Sequence, residues 1–359
     1  MKSNRRYLPP EKFLNAYRQL NGAPPLECIG YSVEGLPIFA ATIGRGPQKI
    51  LAWSQMHGNE TTSTRALLRL IPYLLSRHTN GMKHCCLRII FQLNPDGAKR
   101  YTRQNANGVD LNRDAQAQTQ PETKALLQEL HLFQPNYCLN LHGQRTIYSA
   151  GDPSTPASLS FLAPSADKPR SLTPARKVAM RLITSIANAH EQTTQWAIGR
   201  YDDAFNLNCT GDYFTAQGIP TLLFEAGHFP EDYHRDETVL LFLKSLQTTI
   251  ESIANQHFNT ISSAHYFRIP ENQKTLCDLV FQNVTIVNKK NITKSSFFVQ
   301  FEEQLQGEAI HFIPKLIDMP LNTNGLKTID LKEKTQENPL IVHEFSSNIL
   351  KVLLNLSNS

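Results

Sequence analysis

Hydrophobic positions along this chain follow two rhythms. Short apolar runs of strand length alternate with stretches whose apolar residues recur every three or four positions. Pro10 to Leu20 has the spacing of a short amphipathic helix. Cys28 to Ser32 and Pro37 to Thr42 flank Val33-Glu34-Gly35-Leu36 and predict a hairpin. A strand over Ile50 to Ser54 follows, then a helix over Thr61 to Ser76, with Ala66, Leu67, Leu70, Leu74 and Leu75 on one face. Cys86 to Leu93 is the next strand and Pro121 to Leu132 the next helix. Tyr137 to Leu141 is a strand, Ser171 to Ala189 a helix entered past Pro-rich coil, Ile219 to Phe224 a strand, and Thr238 to Ala254 the last long helix.

This alternation predicts an α/β fold: a mixed, mainly parallel sheet covered by helices on both faces. After about residue 265 the pattern changes. Asp278 to Val287, Ser296 to Gln300 and Pro339 to Phe345 predict strands separated by Lys- and Asn-rich turns. The expected division is a catalytic domain over 1–264 and a small, mostly β appendage over 265–359, serving packing, dimerisation or substrate restriction.

The polar residues that follow the strands carry the chemistry. His57 and Glu60 come just after the first parallel strand. Asn94-Pro95-Asp96-Gly97, Arg100, Arg103, Asn105, Asp110, Asn112 and Arg113 follow the second, His142 the third and Glu225 the fourth. An H-x-x-E by itself arises often by chance, and one polar residue after a strand is usually a turn residue. Parallel sheets, however, gather their carboxyl ends on one rim, where ligands bind. Two His and one Glu there match a hydrolytic zinc site, which leaves a fourth position open. Zn²⁺ on His57, Glu60 and His142 would leave Glu225 as general base and acid. Arg103 could donate to an oxyanion, and Asn112 with Arg113 could grip a substrate carboxylate. Asp110 could accept from the second ring nitrogen of His57.

Composition narrows the classes. The 359 residues are 40% hydrophobic and 19% charged, as in an ordinary globular protein. A net charge of +5, scattered along the chain, argues against nucleic acid. No apolar run has the roughly 18 residues of a membrane span. Met1 to Pro10 is basic but leads into no apolar segment, and the six cysteines sit in apolar or strand-like settings. A cytoplasmic protein with reduced thiols is therefore expected.

In combination and in order, His57-Gly58-Asn59-Glu60, Asn94-Pro95-Asp96-Gly97, Gly108-Val109-Asp110-Leu111-Asn112-Arg113, Leu141-His142-Gly143 and Phe224-Glu225 resemble the motifs of the zinc metallocarboxypeptidases, in a bacterial-type member. The resemblance spans roughly residues 25 to 255. It implies an α/β sandwich with a mixed eight-stranded sheet, and zinc at His57, Glu60 and His142. It also implies Arg103 as oxyanion donor, Asn112 and Arg113 on a terminal carboxylate, and Glu225 as catalytic carboxylate. The substrate would be a peptide or peptide-like molecule with a free carboxylate. Asn59 stands where carboxypeptidase A carries an Arg. The family's mobile Tyr has no clean match; Tyr201 is the candidate, and the specificity residue should lie near Asn206 to Asp212. His-Gly-Asn-Glu is also similar to deacylases of N-acyl amino acids. A catalytically dead peptide-binding module is the third reading, and it predicts the loss of a ligand that is in fact present. Oligomeric state stays open.

Overall fold

The computed structural model describes residues 1–76, 81–191, 193–288, 291–320, 322–331, 340–341, 350 and 353–354. Its larger sheet has eight main strands. In spatial order these are Glu27–Tyr31, Pro37–Ile43, Cys85–Phe91, Gln48–Ser54, Tyr137–Gly143, Thr221–Ala226, Asp152–Leu162 and Ala197–Arg200. Two two-residue strands, Ser149–Ala150 and Asn272–Gln273, extend one side. The four central strands from Cys85–Phe91 to Thr221–Ala226 are parallel; the hairpin and the Asp152–Leu162 strand join them antiparallel.

Burial on both faces explains why the central strands read as unbroken apolar runs. Ile50 and Ala52 point into one core; Leu51 and Trp53 point into another. The first core lies under the helices Pro10–Arg18, Thr61–Leu75, Pro174–Ala189 and Asp236–Asn255. The second lies under Pro121–Phe133 and Thr210–Ala216, with Trp53 edge-on to Phe214 at 5.4 Å. Parallel register brings the strand ends level: Glu225 lies beside His142, and Ser54 beside Leu141.

The Pro-rich stretch before Ser171 was expected as coil, and part of it, Asp152–Leu162, is a strand. Pro153 and Pro156 lie in its outer half, beside only the short Ser149–Ala150 strand. Its inner half, Leu159 to Leu162, pairs with Thr221–Ala226. Proline is tolerated where the neighbouring strand is short and irregular.

A second sheet runs in the order Lys2–Ser3, Ala309–Ile317, Asn291–Gln306, Leu276–Asn288, Asn324–Asp330, with Leu340–Ile341 beside Leu276–Asn288. Phe281, Val284, Phe297, Val299, Leu331 and Leu353 form its core. Of the strand expected over Pro339 to Phe345, only Leu340–Ile341 falls within the described residues. The two sheets exchange segments: the N-terminal Lys2–Ser3 belongs to the second, and Asn272–Gln273 to the first.

Candidate metal and catalytic site

The site is built on a bend after Gln48–Ser54. Gln55 takes a left-handed conformation, φ +46°, and its side chain ties the turn. Its Nε2 donates to the Gly58 carbonyl at 2.8 Å and its Oε1 accepts from Thr64 at 2.6 Å. The turn nests against the Asn94-Pro95-Asp96-Gly97 loop, where the Asn94 side chain caps the Gly97 amide at 2.8 Å. A Cβ on Gly58 would lie 1.9 Å from the Gly97 carbonyl carbon, so the approach needs glycine. The helix Thr61–Leu75 starts directly after Glu60, which fixes that carboxylate beside His57.

His57, Glu60 and His142 meet with one ligand atom from each within 4.8 Å of the others. His57 Nδ1 is 2.8 Å from Glu60 Oε1, and His142 Nδ1 is 2.9 Å from Glu60 Oε2. The two Nδ1 atoms stand 3.2 Å apart. His57 Nε2 is 2.9 Å from Asp110, so a proton there makes Nδ1 the lone-pair nitrogen. Two imidazole nitrogens and a carboxylate then converge, all of them buried or nearly so. That donor set suits a borderline-soft dication such as zinc.

The field is that of a cation site. Burial works against protonating His57, but the Glu60 charge and the hydrogen bonds its ring donates to Asp110 and Glu60 raise its pKa to about 9. Burial opposes ionising Glu60 too, yet the two imidazoles hold it well below the usual carboxylate range. Asp110 is lowered likewise, against its burial, by His57 and then Arg103. His142, more deeply enclosed, is lowered by burial. The cluster attracts one positive charge strongly, and a dication would take the proton's place.

A cavity of about 240 Å³ opens on these residues, with His57, His142, Arg103, Asn112, Arg113, Tyr201 and Glu225 in its wall. It is smaller than the roughly 300–1,000 Å³ of drug-sized ligand sites. A roomier groove of about 550 Å³, lined by Leu127, Leu130, His131 and Tyr213 among others, holds no such convergence of charge. Glu225 Oε2 is buried and has no hydrogen-bond partner. Burial first, then the Glu60 charge, raises Glu225 well above the ordinary carboxylate value. Arg103 is half exposed and reaches from Asp110, at 3.1 Å, to Glu60, at 3.3 Å. Asn112 is buried, its Oδ1 accepting from the Thr210 amide at 3.1 Å. Arg113 is exposed and donates to the Asn112 carbonyl at 2.8 Å. The Tyr201 hydroxyl donates to Gln144 Oε1.

The residues given a site role from sequence therefore meet in one place: Asp110 bonds to the group, and the others line the cavity or supply ligand atoms, whereas Arg100 and Asn105 from the same loop turn away to Glu34 and to Gln120 and Glu122. Sequence reasoning missed Gln144, Leu162, Pro164 and Leu223. Gln144 sits two positions after His142 and had a signal in that adjacency. Leu162 and Pro164 had none once their strand was read as coil. Cys209, Gly211 and Asp212, from the expected specificity segment, also line the wall. Burial pushes the Asp212 carboxyl up to about 6, while the Asn206 amide and the Arg113 charge pull against it.

Fold and site together define an α/β protein with a His–Glu–His cluster fit to hold a metal ion. The zinc carboxypeptidase family model matches residues 23–225, and the chain belongs to that family. Among curated relatives, carboxypeptidase SOL1 of Arabidopsis thaliana is 33% identical over 140 residues, covering 33% of this chain and 28% of that protein. Mouse carboxypeptidase M is 29% identical over 216 residues, covering 52% of this chain and 47% of its own. Murein peptide amidase A of Escherichia coli is 30% identical over 154 residues, covering 33% of this chain and 59% of its own. The chain thus spans less than two thirds of each of these relatives. Of solved structures, a metallo-carboxypeptidase from Burkholderia cenocepacia shares the fold at TM-score 0.54 and 18% identity, covering 69% of this chain and 71% of its own.

Proposed function

We propose that this chain is a zinc-dependent carboxypeptidase or amidase, cleaving a peptide or amide bond near a free carboxylate. One observation carries the reading. The His57–Glu60–His142 group and the unpartnered Glu225 oxygen face the same cavity as Asn112 and Arg113. His57 Nδ1, Glu60 and His142 Nδ1 would hold the ion. Bound zinc supplies Lewis acidity, polarising a carbonyl and acidifying water.

The chain's own residues do the rest. Asp110 holds the His57 tautomer through Nε2. Glu225 takes a proton on Oε2 and passes it to the leaving amine; its raised affinity for protons suits both halves of that task. Arg103 swings from its carboxylate partners to the developing oxyanion, a contribution of about 3 kcal/mol. Arg113 and Asn112 bind the substrate's terminal carboxylate, the guanidinium through two parallel hydrogen bonds. Tyr201 lines the same cavity, its hydroxyl held by Gln144.

The test is a panel of peptides and acyl-amino acids, each as free acid and as terminal amide, with and without a chelator. Cell-wall peptides belong in it, given the murein peptide amidase among the relatives. Amidation should abolish cleavage by the wild type. Arg113→Ala should lower kcat/KM on the free acid by roughly 100-fold or more, the order of losing a charged pair of hydrogen bonds, and change the amide little. Equal cutting of acids and amides would refute Arg113 as anchor. Activity confined to single acyl-amino acids would favour the deacylase reading.

A further inference from the structure

The second sheet sends two carboxylates, Asp278 and Glu303, into the junction behind the site, and Glu303 is the one that gathers partners from three segments. It sits on Asn291–Gln306 and its side chain is 7% exposed. Arg6 meets it at 2.6 Å, the Tyr101 hydroxyl donates to it at 2.7 Å, and Arg145 approaches at 3.3 Å. Each partner belongs to, or is bonded to, a segment that carries a site residue. The Arg6 carbonyl accepts from Thr61 Oγ1 at 2.9 Å, one residue after Glu60. Tyr101 is two residues before Arg103, and the next carbonyl, of Thr102, accepts from the Asn59 amide at 3.2 Å. Arg145 is three residues after His142, and it also bonds Asp278 and the Phe301 carbonyl of the second sheet.

A third arginine completes the arrangement. Arg235, 2% exposed, donates to the carbonyls of Ala226 and Gly227, just past Glu225, and to that of Gln144 at 2.7 Å, just past His142. It clips together the ends of the two strands that hold the proposed base and a proposed ligand. Its charge is buried among the charges of Arg6 and Arg145, and Glu303 is the carboxylate that offsets it.

We propose that Glu303 is a positioning residue: from the second sheet it fastens the segments bearing Glu60, Arg103, His142 and Glu225 at the spacing that metal binding and turnover require. The β-rich C-terminal part is then a structural arm of the site. Its buried ionic contacts join elements far apart in sequence, so the register of the site depends on the sheet being docked. This rests on the metal reading of His57, Glu60 and His142, and zinc affinity reads it without any substrate.

The experiment uses the full chain and zinc itself, competed against a chromophoric chelator. Glu303→Gln keeps the shape but leaves Arg6 and Arg235 short of their counter-charge, while Arg145 keeps Asp278. Supporting groups around metal ligands are typically worth 10- to 100-fold in affinity, so zinc should bind at least tenfold more weakly. On any substrate the wild type cuts, kcat should fall with KM nearly unchanged. Phe298→Ala is the control: it opens the Cys277–Val280–Phe298 cluster of the same sheet without touching Glu303. It should lower Tm yet leave zinc affinity within twofold. Should Glu303→Gln fail to fold, Tyr101→Phe removes one arm and should weaken zinc a few-fold with the fold intact. Zinc affinity and kcat within twofold of wild type in both variants, or equal loss in Phe298→Ala, would overturn the proposal. A wild type that binds no zinc overturns it together with the proposed function. One that binds zinc but cuts nothing overturns the proposed function alone.

Discussion

Glu225 illustrates how a residue suited to chemistry costs the fold something. Its Oε2 is enclosed without a partner, and its carboxyl is held well above the ordinary range by burial and by Glu60. The linkage follows in sign. A carboxyl whose folded pKa is raised destabilises the folded state as pH climbs from the unfolded value through the folded one. Glu225→Gln in chelator-treated protein should therefore melt higher than wild type at pH 8, and the gap should close as pH falls towards 4. The same variant should still bind zinc and should lose roughly 100- to 10,000-fold in kcat, the usual worth of a positioned acid–base group. A variant that melts lower at pH 8, or that turns over within tenfold of wild type, would assign Glu225 elsewhere. The meeting of His57, Glu60, His142 and Glu225 on one rim was legible because each lies within a few positions of a strand end. Sequence separation there measures spatial separation. Glu303, Arg145 and Arg235 were not legible for the opposite reason. Nothing local marks a charged residue that will be buried against partners 91 or more positions away.

Among elements, the turns mattered more than the strands. The two motif loops His57-Gly58-Asn59-Glu60 and Asn94-Pro95-Asp96-Gly97 read as separate signals, yet they interlock through Gly58. Gly58→Ala should force the loops apart, by more than a side chain can yield, since all three colliding atoms are backbone. We expect a loss of about 2–4 kcal/mol, the scale of an overpacked or strained core position, and zinc binding weakened in the part that still folds. Urea midpoints and zinc titration check this; wild-type values in both would show that the loops move freely. The helices and central strands were legible from periodicity because burial is one-sided on helices and two-sided on those strands. Asp152–Leu162 was not, since its two prolines and its serines look like coil until the neighbouring strand is known. Likewise nothing in Lys2–Ser3 foretells that it will pair with Ala309–Ile317 some three hundred residues on.

For the molecule as a whole, two sheets are joined by an N-terminal strand and by buried ion pairs, and the larger one is clad in long helices. That architecture implies a defined response to acid. His190 ends the helix Pro174–Ala189, with Nε2 2.9 Å from the Ser245 hydroxyl on Asp236–Asn255 and its ring edge-on to Trp196 at 5.9 Å. Burial, and then the nearby Lys244 charge, lower its pKa to about 4. In the unfolded chain it returns to about 6.5. The folded protein therefore binds this proton less tightly than the unfolded chain. Its contribution is whole above about pH 6.5 and is lost as pH falls towards 4, to at most about 3 kcal/mol. Glutamine at this position can meet Ser245 but cannot titrate. His190→Gln should thus be less stable than wild type at pH 7.5, because it packs less well on Trp196, and should lose less between pH 7 and 4.5. The readout is the difference between the two urea midpoints across that range, which cancels the acid response of the zinc-site histidines common to both. Parallel curves would show that the seam between these two helices is not where acid opens the fold.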